Sequence, residues 1–226
     1  MSAEVAGLGG AKADGPLKLA VPRGALFGET LDILDAVGID TAAARGDSRA
    51  LIFPGERITL VTMRPSDVPT YVEAGAADVG ITGKDVLLEQ SDRVVYELLD
   101  LGFGRCRMVL AGRKGDGSLG ESQRRLGMMR IATKYPRIAE RYFERSGRQI
   151  EAIEVKGSIE LAPLIGLADG IVDLVATGRT LEENDLEVRE EIVVCTARFV
   201  ANRVAHKLRA AEVDELTTKL REATAG

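Results

Sequence analysis

Tryptophan is absent from the 226 residues, and aromatic side chains make up only 4% of them. The core must therefore be aliphatic, and 45% hydrophobic residues are enough to build a sizeable one. Cysteine is nearly absent too. Cys106 and Cys195 lie far apart in sequence, with no Cys-x-x-Cys or Cys/His ligand spacing, which excludes a zinc-ribbon site and reads as two reduced, unbridged thiols. A single histidine, His206, excludes a multi-histidine metal centre and has no catalytic motif around it, so a surface or helix-start position is expected. No run of about 18 apolar residues occurs, so no span of a membrane is expected. Met1–Pro16 is small and polar without an apolar stretch, reading as a flexible tail rather than a signal peptide and placing the protein in the cytoplasm. The net charge of −5 argues against broad affinity for nucleic acid or a membrane surface. An anionic ligand would have to be held by local donors.

What is present is a regular alternation. Apolar runs at Leu17–Val21, Ile58–Met63, Asp78–Thr82 and Val94–Leu101 read as strands, with helices over Glu29–Val37, Pro65–Glu73 and Lys84–Glu89. Further strands are expected at Arg107–Ala111, Arg130–Thr133, Ile150–Val155 and Ile171–Ala176, with helices over Arg137–Arg145 and Glu160–Ala168. A helix starts near Thr180, Glu191–Val200 reads as one longer strand, and His206–Ala223 as a closing helix. Gly112–Gly120 is the candidate mobile loop. Strands alternating with helices and apolar on both faces predict an α/β fold with mostly parallel sheets.

In such sheets ligands sit beyond the carboxyl ends of strands, where helix N-termini present N–H groups. Five strand ends here carry a basic residue, four of them beside glycine: Pro22-Arg23-Gly24, Thr82-Gly83-Lys84, Thr133-Lys134, Lys156-Gly157-Ser158 and Thr177-Gly178-Arg179-Thr180. Glycine lets the backbone approach an oxygen closely, while Lys, Arg and Thr supply charge and hydroxyls. The pattern fits a ligand with more than one phosphate, against the alternative of ordinary turns with solvated basic side chains. Asp173 interrupts an apolar strand and needs a partner. Either the vicinal hydroxyls of a ribose, with the Thr177–Thr180 turn taking a 5′-phosphate, or an ion pair with a nearby base would satisfy it. No Walker phosphate loop occurs.

Together with Arg64–Val72 (RPSDVPTYV), Ala76–Leu88 (AADVGITGKDVLL), Val95–Leu101 (VYELLDL), Ile131–Pro136 (IATKYP) and Gly157–Asp169 (GSIELAPLIGLAD), these residues resemble the ATP phosphoribosyltransferase family from Leu17 to about Lys219. The resemblance implies a two-lobed fold like the type II periplasmic binding proteins, with an active-site cleft between lobes formed by residues 17–107 plus 194–226 and by 108–193. It implies transfer of a phosphoribosyl group from 5-phosphoribosyl 1-pyrophosphate to N1 of the adenine of ATP in histidine biosynthesis, with Mg²⁺ accompanying the phosphates and no protein metal site. Asp173 and Asp169 would hold ribose hydroxyls, and Thr177, Gly178, Arg179 and Thr180 the 5′-phosphate. Arg49 and Arg23 would serve the departing pyrophosphate, and Gly83, Lys84, Lys134, Gly157, Ser158 and Glu160 other substrate contacts. The chain ends where long members continue into a regulatory domain, so it is similar to the short form. That form works with a separate subunit resembling histidyl-tRNA synthetase, around an expected homo-oligomeric core. In one place the pattern departs: the family's first loop reads Lys-Gly-Arg, whereas here it is Arg23-Gly24-Ala25. The competing reading is a non-catalytic small-molecule binder of the same fold.

Overall fold

The computed structural model describes residues 15–46, 49–115, 117, 119, 125 and 127–225. The expected tail lies outside these residues up to position 14, and the expected loop at Gly112–Gly120 lies partly outside them. The chain forms two units, one running to Gly104 and resuming at Ala197, the other spanning Arg105–Thr196.

The first unit contains β1 (Leu17–Pro22), α1 (Phe27–Ala36), α2 (Ala42–Arg45), β2 (Ile52–Phe53), β3 (Ile58–Met63), a 3-10 turn at Pro65–Asp67, α3 (Val68–Glu73), β4 (Val79–Gly83), α4 (Lys84–Glu89) and β5 (Val95–Asp100). The second contains β6 (Cys106–Arg113), β7 (Met128–Thr133), α5 (Pro136–Arg145), β8 (Gln149–Glu154), α6 (Leu161–Leu164), β9 (Gly170–Val175), α7 (Arg179–Glu183) and β10 (Leu186–Cys195). The chain then returns to the first unit with β11 (Ala197–Asn202), α8 (Arg203–Leu208) and α9 (Ala210–Thr224).

In the first unit the sheet order is β2-β3-β1-β4-β11-β5. Successive residues of β1 serve opposite faces, as the two-residue period of a strand requires. Leu19 and Val21 pack with Leu31 and Leu34 of α1 and with Val213, Leu216 and Leu220 of α9. Ala20 faces the other way, onto Val68 and Val72 of α3. That helix lies so close to β4 that a methyl group at Gly80 would sit 2.7 Å from Val68 and 3.0 Å from Val72, so only glycine fits. Asn202 ends β11 and starts α8 in one step: its side-chain oxygen accepts from the N–H groups of Val204 (2.8 Å) and Ala205 (2.9 Å), an N-cap.

In the second unit the order is β10-β6-β9-β7-β8. Val109, Ala132, Ile159, Ile171 and Leu186 form its core. The α/β class is as expected, but the sheets are mixed rather than mostly parallel. β1 pairs parallel with β3 and β4, and β7 with β8 and β9, while β2, β5, β6, β10 and β11 enter antiparallel. β5 to β6 and β10 to β11 are the two places where the chain passes from one sheet to the other, with no helix between the strands. The single strand expected over Glu191–Val200 is accordingly two strands, which belong to different sheets.

Candidate active site

The parallel trio β9-β7-β8 sends the residues after each strand to one edge of the second unit's sheet. Thr133-Lys134, Lys156-Gly157-Ser158 and Thr177-Gly178-Arg179-Thr180 are thereby gathered from three separate stretches of sequence. Each is fastened locally. The Thr133 hydroxyl donates to the Val172 carbonyl (2.7 Å) and accepts from the Tyr135 N–H (2.9 Å), pinning the end of β7 to β9. Ile159, fully buried, plugs the 157–160 loop into the core and leaves Gly157 and Ser158 exposed and Glu160 half-buried. Gly178 sits at φ +86, a left-handed turn into α7 that side chains other than glycine rarely adopt.

Asp173 lies within β9 with its side chain 15% exposed. Thr133 opposite Val172 is the last rung between β7 and β9, so Lys134 falls in line with Asp173. The Lys134 ammonium stands 3.9 Å from the carboxylate, the outer limit of an ion pair and beyond hydrogen-bond reach. Burial raises the Asp173 carboxyl above the usual carboxylate range. The Leu174 N–H and the charge of Lys134 pull it down, and the charge of Glu160 pushes it up again. Of the two partners open from sequence, the base is present, but its compensation is partial. The carboxylate retains the capacity to accept strong hydrogen bonds from a ligand's hydroxyls.

Asp169 does not join this group. It precedes β9, at the opposite end of the strand from the Thr177 turn, and its oxygens accept from the Arg130 N–H (2.7 Å) and pair with the Arg130 guanidinium (3.4 Å). Four residues along a strand separate Asp169 from Asp173 by about 13 Å, so one ribose cannot span both carboxylates. Within the turn, Thr177 and Thr180 are exposed. The Arg179 side chain leans onto Glu183 (2.7 Å) in a solvent-facing pair.

In the first unit, β1 and β4 are parallel neighbours, so Pro22-Arg23-Gly24 and Gly83-Lys84 share an edge of that sheet. Arg23 is drawn across the strand ends: its Nε donates to the Thr62 hydroxyl (3.0 Å) and one terminal nitrogen to the Ala50 carbonyl (3.1 Å). That second bond is to the residue directly after Arg49, which is exposed; Asp47 and Ser48 lie outside the described residues. Lys84 has a carboxylate of its own, donating to Glu97 (2.7 Å) in a chain that continues through Arg198 to Asp100. A methyl group at Gly83 would meet the Asp85 carboxylate, which would have to swing aside. Sequence reading missed Thr62, the part Thr133 plays in tying β7 to β9, and the Lys84–Glu97–Arg198 chain. A threonine at the buried end of a parallel strand was the available signal for the first two. The chain has none, since its members come from α4, β5 and β11. His206 closes α8 with its ring edge-on against Tyr96, 5.3 Å between centroids. No group of three His, Cys, Asp or Glu that could hold a metal ion, and no helix long and apolar enough to cross a membrane, occurs among the described residues.

Two α/β units, each with basic and glycine-bearing junctions at the ends of its parallel strands, define the fold class. The periplasmic aliphatic sulphonate binding protein SsuA from Escherichia coli shares it, with a TM-score of 0.60 over 94% of this chain and 73% of that one, at 12% identity, a likeness of fold alone. The chain belongs to the ATP phosphoribosyltransferase family, whose model matches residues 64–222. It is 53% identical to the ATP phosphoribosyltransferase of Rubrobacter xylanophilus, covering 87% of this chain and 91% of that protein. It is also similar to a chain of the ATP phosphoribosyl transferase (HisG:HisZ) complex from Thermotoga maritima, with TM-score 0.78 and 39% identity over 92% of this chain and 98% of that one.

Proposed function

We propose that this chain transfers the phosphoribosyl group of 5-phosphoribosyl 1-pyrophosphate to N1 of the adenine of ATP, giving phosphoribosyl-ATP and pyrophosphate in histidine biosynthesis. The reading is carried by Asp173, a partly compensated carboxylate inside an apolar strand, directly ahead of a hydroxyl-bearing turn. Asp173 accepts from the ribose hydroxyls. Thr177, Gly178, Arg179 and Thr180 take the 5′-phosphate, with Lys134, Gly157, Ser158 and Glu160 beside them. The bond from the anomeric carbon to adenine N1 forms as the bond to the pyrophosphate oxygen breaks, and no protein nucleophile is needed. Catalysis is then positioning together with stabilisation of the departing charge.

Arg49 and Arg23 are assigned to that charge, Arg23 standing in for the pair of basic residues that the family places in this loop, since a guanidinium fork reaches two oxygens at once. Mg²⁺ bound together with the substrate phosphates would supply positive charge that lowers the cost of separating pyrophosphate. Asp173 and Glu160, close enough for Glu160 to raise the Asp173 carboxyl, are hard oxygen donors of the kind such an ion accepts. The partner in this reading is a regulatory subunit resembling histidyl-tRNA synthetase, and the occurrence of a relative in a HisG:HisZ complex supports a partner chain. A homo-oligomeric core in the cytoplasm completes the reading.

The test is pyrophosphate release by the purified chain, alone and with such a partner. Release requiring both ATP and 5-phosphoribosyl 1-pyrophosphate is expected. Ligand binding with no release under either condition would instead make the chain a non-catalytic binder. Arg49→Ala is expected to lower turnover by roughly 10²–10³-fold, the cost of removing one donor to a developing anion. Arg23→Ala with unchanged turnover and substrate affinity would remove Arg23 from the mechanism.

A further inference from the structure

Cys106 and Cys195 are 89 residues apart in sequence, yet they face each other in the structure. They form the terminal rung of the antiparallel β6–β10 ladder, Cys195 opposite Cys106. Residues directly opposite on antiparallel strands project from the same face of the sheet. Their Cα atoms lie about 4.5 or 5.5 Å apart, depending on which type of rung they occupy. Both distances fall inside the span of about 4.4–6.8 Å that a disulfide bridges. The orientation of the sulfur agrees: the Cys106 thiol points at the Cys195 backbone, 3.9 Å from its carbonyl oxygen. The two thiols are unbridged and differ in access. Cys195 is 1% exposed, whereas Cys106 is half-buried. Neither residue has a part in the phosphoribosyl reading. Being the end rung, the pair can close together without straining a ladder on both sides.

We propose that Cys106 and Cys195 are a thiol–disulfide modification site whose oxidant is a low-molecular-weight disulfide. The accessible Cys106 thiolate attacks one sulfur of that disulfide, forming a mixed disulfide and expelling one small thiol. The Cys195 thiolate then attacks the Cys106 sulfur, forming the protein disulfide and expelling the second small thiol. Two protein thiols are oxidised and one small disulfide is reduced to two thiols, so electrons and protons balance. The new bond joins the two ends of the second unit, next to the points where the chain enters it at Arg105 and leaves it at Thr196. It closes a loop around that whole unit, which restricts the unfolded chain.

The experiment is incubation of the whole protein with oxidised glutathione, followed by peptide mapping without reduction. The expected result is a linkage between the peptides carrying Cys106 and Cys195, in a monomeric chain lighter by two hydrogens, with a denaturation midpoint raised relative to the reduced protein. Cys195→Ser should stop at a stable glutathione adduct on Cys106, and Cys106→Ser should take up none. A wild-type protein that does not react, that keeps glutathione on Cys106 without closing the bridge, or that links one chain to another overturns the proposal. This mapping needs no variant, so a cysteine substitution that fails to fold does not rescue the idea.

Discussion

Burial raises the Asp173 carboxyl, and Lys134 at 3.9 Å offsets only part of the effect. The consequence for stability has a definite sign. A carboxyl whose folded pKa lies above its unfolded value binds protons more tightly in the native state. Its ionisation therefore costs stability as pH rises from the ordinary aspartate range through the raised pKa, and the full cost is present above it. Asp173→Asn should thus melt at the same temperature as the wild type or higher near neutral pH. The difference should vanish on acidification below that window, as thermal denaturation across pH would show. The same variant should bind 5-phosphoribosyl 1-pyrophosphate roughly 10- to 100-fold more weakly, the loss of a charge-assisted hydrogen bond worth about 1.5–3 kcal/mol. A stabler protein with a weaker ligand would separate a binding carboxylate from a structural one. Asp173 could be found in the sequence because a charge in an apolar run is conspicuous. Its partial compensation could not, since Lys134 meets it only through the register of β7 on β9.

Between elements, a polar tie in the second unit joins β10 to α5 and the turn that follows it. Glu190 accepts from both terminal nitrogens of Arg148 (2.6 and 2.7 Å) and from the Tyr142 hydroxyl (2.6 Å). The Arg148 guanidinium also lies over the Phe143 ring, 4.7 Å from its centroid. Arg148 chiefly holds the Glu190 carboxyl below its ordinary range, against burial, with Tyr142 adding to the effect. A lowered carboxyl pKa contributes stability above the ordinary glutamate range that is lost as pH falls through the folded value. Arg148→Ala should therefore destabilise the protein by about 1–2 kcal/mol near neutral pH, a figure held down by partial exposure of the pair. The penalty should shrink in acid, measured by denaturant unfolding at several pH values. Elements bounded by strong local signals were readable in advance: α4 follows Gly83 with the expected limits, and α3 ends at Gly75, which has φ +72. The break at Thr196 was not, because β10 and β11 form one β-prone run with no turn residue between them. What divides them is which sheet each strand pairs with, and that is decided far away in sequence.

At the scale of the molecule, the second unit is one continuous segment, while the first is assembled from both ends of the chain. β11 is the strand that completes the first unit, lying between β4 and β5 and pairing antiparallel with each. Phe199 at its centre is fully buried among Leu19, Val79 and Ile81. Without β11, β4 and β5 would each expose an unpaired edge beside an open aliphatic core, the arrangement most prone to aggregation. A chain stopped after Thr196 is therefore expected to keep hydrogen-exchange protection across β6 to β10, where every pairing is internal, and to lose it across β1 to β5. Phe199→Ala in the intact chain should give a graded form of the same failure. It should cost about 3–5 kcal/mol, with faster exchange concentrated in the first unit. Equal loss of protection in both units would mean that the second cannot stay folded without the first, and that the continuity of residues 105–196 does not make them a separate folding unit.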